Sequence, residues 1–325
     1  MSQHVEVALL ADIGATNARF AVLVGEQQSA VTTYAVASYP TPVDAAREFL
    51  AGPGGGAKPQ TAVIAAAGPV HNGRVTMVNA AWEVDEQLIQ QGLALRSAHV
   101  INDFAAQAWA LPGLRGADLV AIGEVAPTVP GTMVVMGPGS GFGLAAMTTN
   151  GGKEAVLVTE AGHATLPAEN RRDEVIIQSM RDKFGHISIE RALSGPGLVH
   201  LYDAITAIDG ASVPQRTAAE IAEHALAGNC STCHAALDAF CGFLGSVAGN
   251  EALTFGALGG VFIGGGIVPR FTDFLRRSAF RERFTAKGRL STYLTPIPTA
   301  VVVHPNPAFL GLARLAQKLA TFPGL

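Results

Sequence analysis

Four clusters of residues in this chain have the composition of reaction or ligand sites. In the first, Asp12-Ile13-Gly14-Ala15-Thr16-Asn17-Ala18-Arg19, a carboxylate closes an apolar run and a glycine opens a turn toward a polar pair. Backbone amides in such a turn can face phosphate oxygens, Thr16 and Asn17 can donate to them, and Asp12 can hold a magnesium ion through water. An ordinary polar hairpin turn accounts for these residues equally well. The second, Gly137-Pro138-Gly139-Ser140-Gly141-Phe142-Gly143, lies between two apolar runs and lets backbone approach a ligand closely. It lacks the spacing of a dinucleotide fingerprint. A Walker A loop is also missing, because Gly152-Lys153 is followed by Glu154.

The third cluster is Asn102-Asp103-Phe104, where Asp103 can accept a proton from a substrate hydroxyl during phosphoryl transfer, although capping a helix is the commoner task of an Asn-Asp pair. Glu160-Ala161-Gly162-His163 and Glu190-Arg191 add carboxylates and an imidazole of the kind that bind sugar hydroxyls; each alone also suits a surface ion pair or a loop. The fourth cluster, Gly259 to Pro269, is an apolar strand ending in Gly264-Gly265-Gly266. A flat adenine can lie against such a turn, or the glycines simply make a tight connection.

These clusters need strands that end where they begin. Val5 to Ala11 and Arg19 to Val24 read as a hairpin, Val31 to Ser38 as its continuation, Pro42 to Leu50 as a helix, and Thr61 to Ala67 and Ala98 to Ile101 as strands. Met133 to Met136 and Leu144 to Met147 repeat the strand-turn-strand pattern, with another strand near Val156 to Val158, and this suggests an internal duplication. Asp173 to about Phe255 is mainly helical, Gly260 to Ile263 is a buried strand, and Pro307 to Leu319 reads as a closing helix that returns to the first half.

With 325 residues, 49% hydrophobic and 15% charged, the chain has the composition of a globular protein of about two domains. A net charge of -4 without a basic run argues against nucleic acid as a partner. The N-terminus has no positive n-region, so a first strand is expected rather than a signal peptide. Ala252 to Val268 contains six glycines and is too interrupted for a membrane span, so no membrane association is expected. Three cysteines fit a reducing cytoplasm. Cys230-Ser-Thr-Cys233-His234 formally matches a haem-attachment motif but reads better as two incidental helix-facing thiols.

In this order, the segments resemble the bacterial glucokinases of the hexokinase and actin superfamily, along nearly the whole chain. Asp12 to Arg19 and Gly137 to Gly143 resemble the family's two phosphate motifs, Gly259 to Pro269 its adenosine motif, and Asn102-Asp103-Phe104 its sugar and catalytic segment. Glu160 to His163, Glu190 to Val199 and His304-Pro-Asn306-Pro307 are similar to further stretches of it. Ala15 and Ala161 stand where glycine is frequent, and Ser140 and Phe142 where threonine and leucine are common. The cysteine-rich zinc motif of the related repressor and kinase family is absent, and no DNA-binding domain is expected before the first strand.

The resemblance implies an α/β, two-domain actin-like ATPase (ribonuclease H-like) fold with a central cleft. Its small domain would be residues 1–112 plus 308–325 and its large domain 113–307. Glucose would lie at the base of the cleft and MgATP across the domain interface, with closure on sugar binding. Asp103 would be the base, and Asn102, Glu160, His163 and Glu190 would bind glucose. Asp12 would position magnesium, Gly14, Ala15, Thr16, Asn17, Gly137, Gly139, Ser140 and Gly141 would form the phosphate turns, and Gly265 and Gly266 would hold the adenosine. A homodimer is the family expectation. A kinase for another hexose, or a non-catalytic sugar sensor using the same residues, is the competing reading.

Overall fold

The computed structural model describes residues 6–77, 82–124 and 130–321. The first residue of the expected opening strand, Val5, and residues 322–325 of the expected small domain lie outside these. The chain divides into two compact units, Met1–Leu114 with Pro305–Leu325, and Arg115–His304.

In the first unit, β1 (Val7–Ile13), β2 (Asn17–Val24), β3 (Gln27–Gln28), β4 (Thr32–Ala35), β5 (Thr61–Ala66) and β8 (Ser97–Asn102) form one mixed sheet, while β6 (Arg74–Thr76) and β7 (Glu83–Asp85) make a separate pair. The sheet has the order β3-β2-β1-β5-β8, with β4 also on β2. Helices α1 (Pro42–Ala51), α2 (Glu86–Gly92) and α3 (Asp103–Ala110) complete its N-terminal part. Local chemistry sets their starts: Thr41 accepts from the Asp44 amide with Pro42 at the first helical position, and Asp85 accepts from the Leu88 amide. The stretch expected as one strand over Val31 to Ser38 is divided, with β4 followed by a single 3-10 turn at Val36–Ser38. The Val36 amide turns back onto the Thr16 carbonyl there, tying the segment to the first glycine turn.

The helix Pro307–Thr321 also belongs to this unit and packs on α3, β1 and β5. The backbones come so close that a Cβ at Gly311 would stand 1.8 Å from the Ala106 carbonyl oxygen. Beneath the sheet, Leu9, Phe20, Phe49, Ile64 and Trp82 form a continuous apolar core.

The second unit repeats the plan. Strands β9 (Leu119–Ala121), β10 (Met133–Pro138), β11 (Phe142–Asn150), β12 (Lys153–Thr159), β13 (Gly260–Ile263) and β14 (Thr299–Val302) form a sheet of order β12-β11-β10-β13-β14-β9. β10 pairs antiparallel with β11 and parallel with β13, which pairs parallel with β14; β1 is likewise antiparallel to β2 and parallel to β5, which is parallel to β8. The duplication expected from the two strand-turn-strand segments is therefore present in the strand order of both sheets.

Helices α4 (Arg171–Phe184), α5 (Ile189–Ala192), α6 (Gly195–Asp209), α7 (Ala218–Ala227), α8 (Ser231–Phe255), α9 (Thr272–Arg277), α10 (Phe280–Thr285) and α11 (Ser291–Leu294) belong to this second unit. Asn170, Ser188, Ser194 and Thr217 cap α4 to α7 with their side chains. α8 is buried without a break from Phe240 to Gly249. Cys230, expected on a helix face, instead caps α8: its sulfur accepts from the Cys233 amide at 3.3 Å. No helix among the described residues is long and apolar enough to cross a membrane.

Candidate active site

The first unit places its chemistry at one edge of its sheet. β1, β5 and β8 run parallel, with Ile13, Ala66 and Asn102 in register, so the Asp12 to Asn17 turn and the Asn102-Asp103 pair leave the same carboxyl edge. Two interstrand gaps, roughly 10 Å, separate β1 from β8 there. The carboxyl edge of parallel strands is where open α/β sheets bind ligands.

In the β1–β2 turn the Gly14 amide donates to the Asn17 carbonyl at 2.9 Å. Ala15, Thr16 and Asn17 are exposed, and among the described residues the Ala15 and Thr16 amides engage no protein acceptor. Two unengaged amides at a tight turn make an anion cradle. Ala15 has no positive φ, so its methyl costs the turn no strain where glycine is frequent.

The hairpin register sets Asp12 opposite Arg19, whose Nη1 donates to Oδ2 at 2.9 Å. Burial pushes the Asp12 carboxyl above the usual carboxylate range, and Arg19 offsets only part of that. A desolvated carboxylate in this state favours a second cation, and magnesium accepts one carboxylate while keeping several waters. Asp12 therefore fits a water-mediated magnesium ligand. No cluster of three or more His, Cys, Asp or Glu side chains suited to a metal ion occurs among the described residues.

Asn102 caps α3. Its Oδ1 accepts from the Phe104 amide at 2.9 Å and the Ala105 amide at 3.3 Å, and its Nδ2 donates to the Gly68 carbonyl at 3.1 Å. The capping role and a ligand role thus share one side chain, and only the second Nδ2 hydrogen remains to face a substrate. Asp103 opens the helix, and the Phe104 amide donates to its Oδ1 at 3.0 Å, which fixes the orientation of its carboxyl group.

The second unit gathers its candidates around the β10–β11 turn. The Gly139 amide donates to the Gly141 carbonyl at 2.8 Å, and the amides of Ser140 and Gly141 engage no acceptor among the described residues, as at Ala15 and Thr16. Glu190 Oε2 accepts from the Phe142 amide at 2.9 Å, and a Cβ on Gly141 would stand 2.5 Å from that oxygen. Gly141 is therefore required by the Glu190 carboxylate. Gly162 lies against the Phe142 carbonyl, bringing the Glu160 to His163 segment to the same residue. Gly265, at φ +82°, packs on the Pro138 carbonyl, so the triglycine turn lies beside the second phosphate turn. Glu160 and His163 are mostly exposed, with Nε2 and Oε2 4.0 Å apart, too far for a hydrogen bond.

Two contributors carry no role in the sequence reading. Arg19 was readable, because a seven-residue separation across a tight hairpin turn makes it Asp12's cross-strand partner. The Gly195 amide, at the start of α6, donates to the Gly139 carbonyl at 2.9 Å, and Ser194 caps that helix; Ser194-Gly-Pro-Gly197 looks in sequence like a mere helix break.

The glucokinase family model matches residues 9–319. The chain belongs to the glucokinase family. Its activity is accordingly ATP-dependent phosphorylation of glucose. The glucokinase of Caulobacter sp. (strain K31) is 42% identical over 311 residues, covering 94% of each chain. A crystal structure of glucokinase from an Antarctic psychrotroph matches with a TM-score of 0.89 at 38% identity, covering 96% of this chain and 99% of that one. The fold is also that of a ROK family glucokinase from Streptomyces griseus, solved in complex with glucose and AMPPNP, with a TM-score of 0.62 at 19% identity over 97% and 99% of the two chains. The doubled α/β plan is thus the actin-like fold of these kinases.

Proposed function

We propose that this glucokinase transfers the γ-phosphoryl group of ATP to the 6-hydroxyl of glucose, with Asp103 as general base, giving glucose 6-phosphate and ADP for glycolysis in the cytoplasm. The placement of Asp103 and Asp12 on one sheet edge, roughly two strand spacings apart, carries this reading: a proton acceptor and a cation ligand must lie on either side of a transferring phosphoryl group. Asp103 takes the hydroxyl proton as the sugar oxygen attacks phosphorus. Asn102, Glu160, His163 and Glu190 hold the other hydroxyls, each penalising a sugar that leaves it unpaired. The turns at Gly14, Ala15, Thr16, Asn17 and at Gly137, Gly139, Ser140, Gly141 receive phosphate oxygens on their unengaged amides. Gly265 and Gly266 receive the adenosine. Magnesium, held by Asp12 through water, would neutralise charge on the phosphates. The functional domains are residues 1–112 with 308–325, and 113–307, and the protein acts as a homodimer.

A coupled assay for sugar 6-phosphate with MgATP and glucose, mannose or fructose tests the proposal. Fastest turnover on glucose is expected. A different preferred sugar would keep the kinase and revise the roles of Glu160, His163 and Glu190, whereas glucose binding without turnover would point to a sensor.

Gly141→Ala probes the Glu190 assignment. The new methyl group must displace the carboxylate from the Phe142 amide, removing a charged hydrogen bond of about 1.5–3 kcal/mol. The KM for glucose is expected to rise about 10- to 100-fold, with a smaller rise for ATP. An unchanged glucose KM would remove Glu190 from the sugar site.

A further inference from the structure

The Cys230-Ser-Thr-Cys233-His234 segment has no part in phosphoryl transfer, and its geometry rules out the haem reading. Cys233 is wholly buried, and His234 packs edge-on against Phe274, with ring centroids 5.2 Å apart. What remains is a pair of free thiols at the start of the 25-residue helix α8. Cys230 occupies the N-cap, is half-buried, and accepts the Cys233 amide on its sulfur, while Cys233 lies one turn further in. The Cys233 side chain and the Arg216 charge both act on the Cys230 thiol. The Nε of Arg216 is buried without a hydrogen-bond partner among the described residues.

A helix N-terminus and a guanidinium both stabilise a thiolate, and a neighbouring thiol that donates to it does so further. We propose that Cys230 and Cys233 form a redox-active dithiol that exchanges with small disulfides, Cys230 being the attacking sulfur and Cys233 the resolving one.

The division of labour follows from the surroundings. Burial pushes the Cys230 thiol up, but the Cys233 side chain and amide, with Arg216, outweigh it and leave Cys230 below the ordinary thiol value. Burial and the neighbouring Cys230 push Cys233 up to about 12. Burial raises Cys241 as well; it is fully enclosed and inert. In the first step the Cys230 thiolate attacks one sulfur of a disulfide RSSR. The Cys230–SR bond forms, the S–S bond breaks, and RS⁻ leaves to take a proton from solvent. Cys233 then loses its proton, and its sulfur attacks Cys230 Sγ and expels the second RS⁻. Two protein thiols lose two electrons and two protons, and RSSR gains them as two RSH. Once Cys230 is bonded to Cys233, it can no longer serve the α8 N-cap as a thiolate acceptor.

Incubating the whole protein in buffers of graded oxidised-to-reduced glutathione ratio, then measuring intact mass and alkylated peptides, tests the assignment. A loss of two hydrogens, mapped to Cys230–Cys233 and reversed by dithiothreitol, is expected. Cys233→Ser should accumulate one glutathione on Cys230, Cys230→Ser should show neither species, and Cys241→Ala should behave as the parent. At Cys230 serine keeps a good N-cap acceptor, and at buried Cys233 it replaces the thiol with a side chain of the same shape, so these variants are expected to fold, with unchanged glucose kinase activity under reducing conditions. An unchanged mass across the whole ratio range would overturn the proposal. So would a glutathione adduct that persists on Cys230 of the parent without ring closure, or modification at Cys241.

Discussion

Asp103→Asn is expected to lower kcat by roughly 10²- to 10⁴-fold while leaving glucose affinity close to the parent value. Asparagine has the same shape, and its side-chain oxygen can still accept the Phe104 amide that orients position 103, so α3 keeps its start. What is lost is the ability to take the hydroxyl proton. Calorimetric titration with glucose, together with steady-state rates at saturating MgATP, separates the two effects. A variant that retained a tenth or more of parental turnover would remove Asp103 as the base, and one that lost glucose binding along with rate would make it a binding residue.

The largest expected effect on stability lies away from the chemistry. Arg283 grips Asp173 in a two-pronged ion pair, with Nη1 to Oδ2 at 2.7 Å and Nη2 to Oδ1 at 3.1 Å. The Asp173 side chain is only 2% exposed and that of Arg283 17%. Asp173 also accepts the Glu169 amide, and its own amide is capped by Asn170, so this carboxylate organises the start of α4. Arg283→Met would leave it charged and unpaired in the interior, at a cost of about 3–5 kcal/mol. For a protein of this size the melting temperature should fall by roughly 4–7 °C. Adding Asp173→Asn is expected to return a good part of that loss, because the stranded charge goes with it. If the single variant melts with the parent, the pair is a surface-like contact and the account of α4 fails.

Much of the fold was legible in the sequence where a local signal and the tertiary outcome agree. Gly260 to Ile263 is an uncharged run bounded by glycines, and it is the buried strand β13 with those limits. Asn102 and Asp103 follow an apolar run and precede an alanine-rich one, which places them at a strand end and a helix start. β14 was missed because Thr299–Val302 is four residues among prolines and becomes a strand only by lying between β13 and β9. β9 is three residues long and carries no periodicity of its own. The bond from the Phe142 amide to Glu190 spans 48 residues, and no local pattern reports such a contact. The cluster around the second phosphate turn was therefore visible as separate pieces, while their convergence on Phe142 was not.

The first unit is built from both ends of the chain, and this sets an order on its assembly. During synthesis, which proceeds from the N-terminus, β1, β5 and α3 emerge long before Pro307–Thr321, the helix that packs on them. Until that helix arrives, the face of α3 that meets Gly311 stands open, and Asp103 sits on a helix without its backing. The second unit, Arg115–His304, is continuous, yet its edge strand β9 likewise waits for β14, made just before that helix. The proposed base is thus backed only once the C-terminal helix docks, and the ability to turn over ATP would switch on with that step.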